Sequence, residues 1–138
     1  MIPAGKSLAG DRLSARSVKG FGVVSAISLD GRDLAESERM LLLHLTDLRA
    51  EGVRYLSLEN KVILADAPRE NEILGRRGVM EAELAIVAGP CRLYALDHSG
   101  TRLGEIPVRS TNGRLQVTLD TFAVPGNVVF AYELVRSL

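Results

Sequence analysis

Short apolar segments separated by closely spaced turn signals are the feature that most constrains the fold of this chain. From Gly20 onward a turn signal recurs about every eight to fifteen residues, a spacing typical of all-β domains. The signals are Asp30-Gly31, Glu51-Gly52, Glu59-Asn60, Gly89-Pro90, Ser99-Gly100, Asn112-Gly113 and Pro125-Gly126. The pattern predicts an all-β fold, an antiparallel β-sandwich of about eight strands, over residues 20–138.

Alternation of apolar and polar residues marks individual strands. The clearest strand follows Asn112-Gly113, a pair that tolerates the positive φ angles of a type I′ hairpin turn. There Leu115, Val117 and Leu119 alternate with polar residues, which places the apolar set on one face. A similar alternation runs from Met80 to Ile86. The other strand candidates are residues 20–29, 91–96 and 128–135.

The segment from Asp33 to Gly52 is ambiguous. Its leucines fall near helical spacing, and Asp33 and Gly52 are suited to begin and end a helix. Alternatively, a strand over the apolar run that begins at Met40 suits the β-rich surroundings. The pattern alone leaves helix and strand open.

Composition excludes several classes of function. The 138 residues fit one ordinary domain, and 17 basic residues balance 17 acidic ones, so strong electrostatic attraction to nucleic acid is not expected. Apolar runs of about four residues are far shorter than the roughly 20 that span a bilayer, so no membrane span is predicted. Residues 1–19 lack the apolar core of a secretory signal and are predicted to be a loosely ordered lead-in. Localisation stays open.

Two histidines and one cysteine are the candidates for chemistry. His44 with Asp47, and His98 beside Asp97, suggest acid/base pairs, but neither has a nucleophile at a specific spacing. We interpret His44 as a structural residue and His98 as part of a tight turn. Cys91 enters an apolar run, which favours a small buried residue over a nucleophile. No metal site or cofactor is predicted.

Two carboxylates and the few aromatic residues bear on carbohydrates. Glu81 and Glu83 share one strand face opposite the apolar set, which favours a solvated face over a glycosidase pair. The chain has no Trp, and most of its Phe and Tyr residues lie in strand candidates, so a sugar-binding platform of stacked rings is disfavoured. An edge or loop site built on hydrogen bonds stays open. No catalytic residue is assigned, and ligand-binding residues stay unknown.

Three segments carry a strand-and-turn pattern. Ser37-Glu38-Arg39 precedes an apolar run ending at Thr46, Tyr94-Ala95-Leu96-Asp97 precedes Gly100-Thr101-Arg102, and Tyr132-Glu133 lies near the C-terminus. Together they resemble the C-terminal β-sandwich domain of certain bacterial glycoside hydrolases, in which a (β/α)₈ catalytic barrel comes first. The likeness spans roughly residues 20–136.

The resemblance implies a strand at the ambiguous segment, with Leu41, Leu43 and Leu45 as its buried row. It implies a noncatalytic accessory domain that packs against a catalytic barrel in the same parent chain, and a parent that is secreted in some cases. An autonomous carbohydrate-binding module is the alternative from the binding class. A small hydrolase using His44 or Cys91 is the alternative from the enzyme class.

Overall fold

The computed structural model of the chain describes residues 1–57, 62–63, 72–86 and 89–136. Within these residues the backbone forms strands and turns and no helix. The strands are β1 (Ser7–Ala9), β2 (Leu13–Lys19), β3 (Val23–Ser28), β4 (Arg39–Leu45), β5 (Leu48–Ala50), β6 (Tyr55–Ser57), β7 (Val62–Ile63), β8 (Ile73–Gly75), β9 (Val79–Ala85), β10 (Cys91–Leu96), β11 (Arg102–Ile106), β12 (Val108–Thr111), β13 (Arg114–Asp120) and β14 (Ala131–Arg136).

Ten of these strands form two five-stranded antiparallel sheets. The first sheet has the order β1-β2-β9-β13-β12, and the second has the order β11-β10-β14-β4-β3. The predicted all-β, antiparallel sandwich is confirmed, with ten strands in its two sheets where turn spacing predicts about eight. Both sheets belong to one compact unit, Met1–Thr46 with Arg77–Leu138.

The core of this unit is built from the inward rows of both sheets. Strand alternation places every second side chain inside, which is why the rows read as apolar residues two positions apart. The fully or almost fully buried apolar residues of the strands are Ala15, Met40, Leu42, Met80, Ala82, Leu84, Leu93, Ala95, Leu96, Leu115, Val117, Leu119, Tyr132 and Leu134.

A second compact unit spans Asp47–Arg76. Within it β5 pairs with β8, and β6 pairs with β7, both antiparallel. No shift in amino-acid composition separates this unit from the rest of residues 20–138.

Most of the predicted turns are confirmed. Asn112 and Gly113 both have positive φ angles, 52° and 74°, and join β12 to β13 as a hairpin. Glycine also adopts positive φ in the turns at Gly31, Gly52, Gly100 and Gly126. The predicted turn at Glu59-Asn60 lies outside the described residues.

The prediction of a loosely ordered lead-in over residues 1–19 is wrong. These residues contribute β1 and β2 to the first sheet, and Ile2 is buried. The physical reason is the short alternation in β2, where Ala15 and Ser17 are buried while Ser14 and Arg16 lie on the outer face.

The segment from Asp33 to Gly52 forms strands, and the helical alternative is wrong. Asp33 caps only a single turn, in which its backbone oxygen accepts from the N–H groups of Glu36 and Ser37. β4 then pairs with β3 and β14.

The predicted buried row of β4 is also wrong. Met40, Leu42 and His44 are buried completely, whereas Leu41 and Leu43 are half-buried and Leu45 is exposed. Every residue from Met40 to Leu43 is apolar, so the local pattern did not identify the inner face, which the pairing with β3 and β14 sets.

Candidate functional site

Two rows of polar side chains cross the outer face of the first sheet. Strand register places them opposite one another, because residues paired across antiparallel strands point to the same face. The first row is Ser7, Arg16, Glu81 and Thr118, and the second is Ser14, Glu83, Gln116 and Arg109, with Ala9 at its β1 end. Neighbouring positions within a row are about 4.8 Å apart, and the rows are separated by about 7 Å along the strands.

Ion pairs and hydrogen bonds hold both glutamates in place. Glu81 accepts from Arg16 through Nε at 3.2 Å and Nη2 at 2.8 Å, both at the same carboxylate oxygen. Glu83 accepts from Arg114 at 2.5 Å and from the Gln116 amide at 3.1 Å. These hydrogen bonds from Gln116 and Arg114 lower the pKa of Glu83 below its ordinary value, so this carboxylate stays ionised.

The two rows form the floor of an open groove of about 810 Å³, which we call the polar groove. Its volume is in the range of small-molecule sites. Pro107, just before β12, lies at its edge. The side chain of Leu8 points to the opposite face, because Leu8 pairs with the buried Ala15, and Ile106 packs against the core. The groove therefore has a polar floor and one apolar residue at its edge.

Within this groove a glycosidase role is poorly supported. Such chemistry needs one carboxyl group with a raised pKa to act as an acid. Glu83 has the opposite shift, and Glu81 is held by a two-point contact with Arg16. The groove is better suited to bind than to transfer protons.

His44 lies in the interior, on the inner face of β4, and is fully buried. Neither imidazole nitrogen has a hydrogen-bond partner of normal geometry among the described residues. The ring fits because Gly22 and Gly78 approach it, and a Cβ at either position would lie 3.1 Å from Nε2. Burial lowers the pKa of His44 to about 4, although the nearby Asp120 carboxylate opposes this shift. The structural interpretation of His44 fits this position.

The carboxylates of the two suggested acid/base pairs have other partners in the structure. The strand at β4 removes the helical geometry that a His44–Asp47 pair requires, and Asp47 forms an ion pair with Arg76 at 3.7 Å. Asp97 accepts from the backbone N–H groups of Ser99 and Thr101 at 2.8 Å, so it serves a tight turn. His98 is exposed in that turn, as predicted.

Cys91 begins β10 and is half-buried. Burial raises the pKa of its thiol, which disfavours the reactive thiolate. No group of three or more metal-ligating side chains was found in the part of the chain that the structure describes. Across the same residues no helix is long and apolar enough to cross a membrane.

Residues from all three sequence motifs meet around Glu133 on the outer face of the second sheet. Arg39 donates to one Glu133 oxygen at 2.5 Å, and Arg102 donates to the other at 2.7 Å. The Arg102 guanidinium also lies over the Tyr94 ring, 4.0 Å from its centre. Glu133 is only 4% exposed, and the two arginines lower its pKa. The motifs thus mark a cluster that ties β4, β10, β11 and β14 together.

Beside this cluster, apolar residues cover the outer face of β3 and β4. Val23 pairs with Leu45, and Ile27 pairs with Leu41, so the side chains form neighbouring pairs on the sheet. The residues of this apolar face are Val23, Ile27, Leu41, Leu43 and Leu45, and the small polar Ser25, which pairs with Leu43, lies among them. Val23, Ile27 and Leu45 are between 43% and 46% exposed.

Several residues of the polar groove have no sequence signal of their own. Arg16 lies in the segment that the sequence predicts to be a lead-in, and Arg109 lies on a strand that no alternation indicates. For Gln116, Thr118, Glu81 and Glu83, the alternation predicts a polar strand face. The pattern within a single strand does not show the register that aligns these residues across strands.

Comparison with protein-family models, with curated proteins and with solved structures finds no match to this chain.

Proposed function

We propose that this chain is a noncatalytic β-sandwich module of a carbohydrate-active enzyme, and that its apolar face packs against a catalytic domain of the same parent chain. The observation that carries the proposal is the apolar face on β3 and β4. The resemblance of the three motif segments to accessory domains of glycoside hydrolases supplies the kind of partner.

The sequence of β4 supports a sheet that is covered on both sides. A strand with one wet face alternates apolar and polar residues, whereas a strand buried on both faces reads as a continuous apolar run. β4 has such a run from Met40 to Leu43, although its outer row is partly exposed in the isolated chain. Exposed apolar clusters of this kind mark interaction sites.

The candidate catalytic residues support the noncatalytic part of the proposal. His44 is sealed in the core, and the raised pKa of Cys91 disfavours a nucleophile. Glu81 and Glu83 are committed to guanidinium partners. The carboxylates for glycoside cleavage would therefore come from the catalytic domain.

A matched pair of valines tests the packing face in the full parent protein. Val23 on the apolar face is 43% exposed, and Val18 on β2 of the other sheet is 49% exposed. We expect Val23→Lys to split thermal unfolding of the parent into two separate transitions, because a buried lysine disrupts the interface. Val18→Lys is expected to leave a single transition.

Three results would contradict the proposal. The first is a parent reading frame without a second domain, and the second is a Val23→Lys variant that unfolds like the Val18→Lys control. The third is turnover of aryl glycosides or polysaccharides by the isolated chain that disappears in His44→Ala. That third result would favour the small-hydrolase alternative.

A further inference from the structure

We infer that the polar groove on the first sheet binds a neutral oligosaccharide, through hydrogen bonds to its two polar rows and without aromatic stacking. The groove lies on a different sheet from the apolar face. This inference goes beyond the proposed packing role, and either can fail without the other.

The pairing of charges in the groove favours a neutral ligand. Arg16 pairs with Glu81, and Arg114, beside the groove, pairs with Glu83, which leaves Arg109 as the lining charge with no ion pair among the described residues. Arg16, Glu81 and Glu83 already have charged partners. A charged ligand would have to compete with these contacts or bind Arg109 alone, whereas a hydroxyl can bind beside them.

Unused hydrogen-bonding capacity remains on the floor. A guanidinium has five N–H donors, of which Arg16 uses two on Glu81, and the contacts from Arg16 reach only Oε2 of that carboxylate. Arg109 forms no ion pair among the described residues, and the hydroxyls of Ser14 and Thr118 make no side-chain hydrogen bond there. Donors and acceptors thus alternate across the sheet at about 4.8 Å.

A polyhydroxylated ring matches this arrangement chemically. Each sugar hydroxyl both donates and accepts, so it can meet a surface on which donors and acceptors alternate. Pro107, at the edge of the groove, offers apolar contact to the C–H face of a ring. The volume of about 810 Å³ is within the range of small-ligand sites.

A peptide ligand fits this surface less well. Peptides that add to a sheet bind through main-chain groups at a free edge. The floor of the polar groove is a sheet face, and the main-chain groups of β2, β9 and β13 are paired within the ladder. Only side chains are offered to a ligand there.

The test is a titration of ¹⁵N-labelled chain with neutral hexasaccharides, followed by NMR chemical shifts. The probes are cellohexaose, xylohexaose, mannohexaose and laminarihexaose, with hexagalacturonic acid as the charged comparison. We expect saturable shifts at β2, β9 and β13 with at least one neutral probe.

Arg109→Ala and Thr118→Val should each weaken that binding, Arg109→Ala by about tenfold. Both substitutions are at exposed positions, so folding is expected to persist.

Arg54→Ala is the control, because Arg54 is exposed and lies outside the groove. Equal weakening by the Arg54 and Arg109 substitutions would overturn the inference. So would binding of hexagalacturonic acid alone, or an absence of shifts with every neutral probe at about 10 mM, since weak sites bind in the millimolar range. A Val23→Lys chain should bind as the unchanged chain does, which separates this test from that of the packing face.

Discussion

Strands β13 and β4 have corresponding positions in the two sheets, each paired with an edge strand on one side, but their sequence patterns differ. In β13 the buried residues Leu115, Val117 and Leu119 alternate with exposed polar residues. In β4 the inner row contains a histidine, and the outer row consists mostly of leucine. The first sheet therefore presents a polar outer face, and the second presents an apolar one beside the Glu133 cluster.

The difference indicates that the two outer faces meet different surroundings. Polar outer residues lower the cost of contact with water or with a hydrophilic ligand. Leucine at partly exposed positions brings no such benefit, and it is favourable only when another surface covers it. We therefore expect the outer row of β4 to contribute little to the stability of the isolated chain.

The largest effect is expected from neighbouring leucines of β4. Leu42→Ala should lower the free energy of unfolding by about 2–5 kcal/mol, because it leaves a cavity in the core. Leu43→Ala should cost under about 1.5 kcal/mol, because its side chain is only half-buried in the isolated chain. Urea unfolding of both variants measures the difference. Equal losses would show that the outer row already belongs to a core.

How far the sequence predicts this fold is clear from the same two strands. Turn residues and alternation identified β13, β9 and β10 and the hairpin at Asn112-Gly113, because these signals are local. β4 was ambiguous, since a run of apolar residues has no period that distinguishes its faces. Its inner face depends on register with β3 and β14, which no short segment contains.

The candidate site was less predictable than the fold for a related reason. Strand alternation alone predicts that Glu81, Glu83, Gln116 and Thr118 are polar outer residues. Their assembly with Arg16 and Arg109 into a groove depends on pairing between strands far apart in the chain. Likewise, the hydrogen bonds from Arg39 and Arg102 to Glu133 depend on the pairing of strands in the second sheet.

The inner row of β4 contains a histidine, so we expect it to make the free energy of unfolding depend on pH. The inner row of β13 consists of Leu115, Val117 and Leu119, which do not titrate. The pKa of His44 is lowered from 6.5 to about 4 in the folded state. Between these values the unfolded state binds the additional proton, so stability falls as pH decreases from about 6.5 to 4. The shift corresponds to about 3 kcal/mol. Chemical denaturation at several pH values measures this loss.

His44→Leu isolates this contribution. It removes the titrating group and keeps an apolar side chain at the buried position, so the loss of stability between pH 6.5 and 4 should become smaller. His98→Leu serves as the control, because His98 is exposed in a turn. If the His44 variant has the same pH profile as the unchanged chain, the imidazole is not the source.

The smallest effect on the free energy of unfolding is expected from replacing one glutamate on each outer face. Glu133 is nearly buried between Arg39 and Arg102, whereas the ion pair of Glu83 with Arg114 is more accessible to water. Glu133→Gln should lower the free energy of unfolding by about 1–2 kcal/mol at pH 7, because it weakens the contacts with Arg39 and Arg102. The loss is not larger because both guanidiniums are exposed to water, which weakens each ion pair.

Glu83→Gln should cost less than Glu133→Gln, since water screens its contacts more strongly. Both carboxylates have lowered pKa values when folded, so their contribution is present above the ordinary glutamate pKa and is lost as pH falls through the folded value. The difference between the two variants should therefore shrink in acid, which parallel urea titrations at pH 7 and pH 3 would measure. A difference that persists at pH 3 would mean that packing around Glu133, rather than its charge, joins the strands of the second sheet.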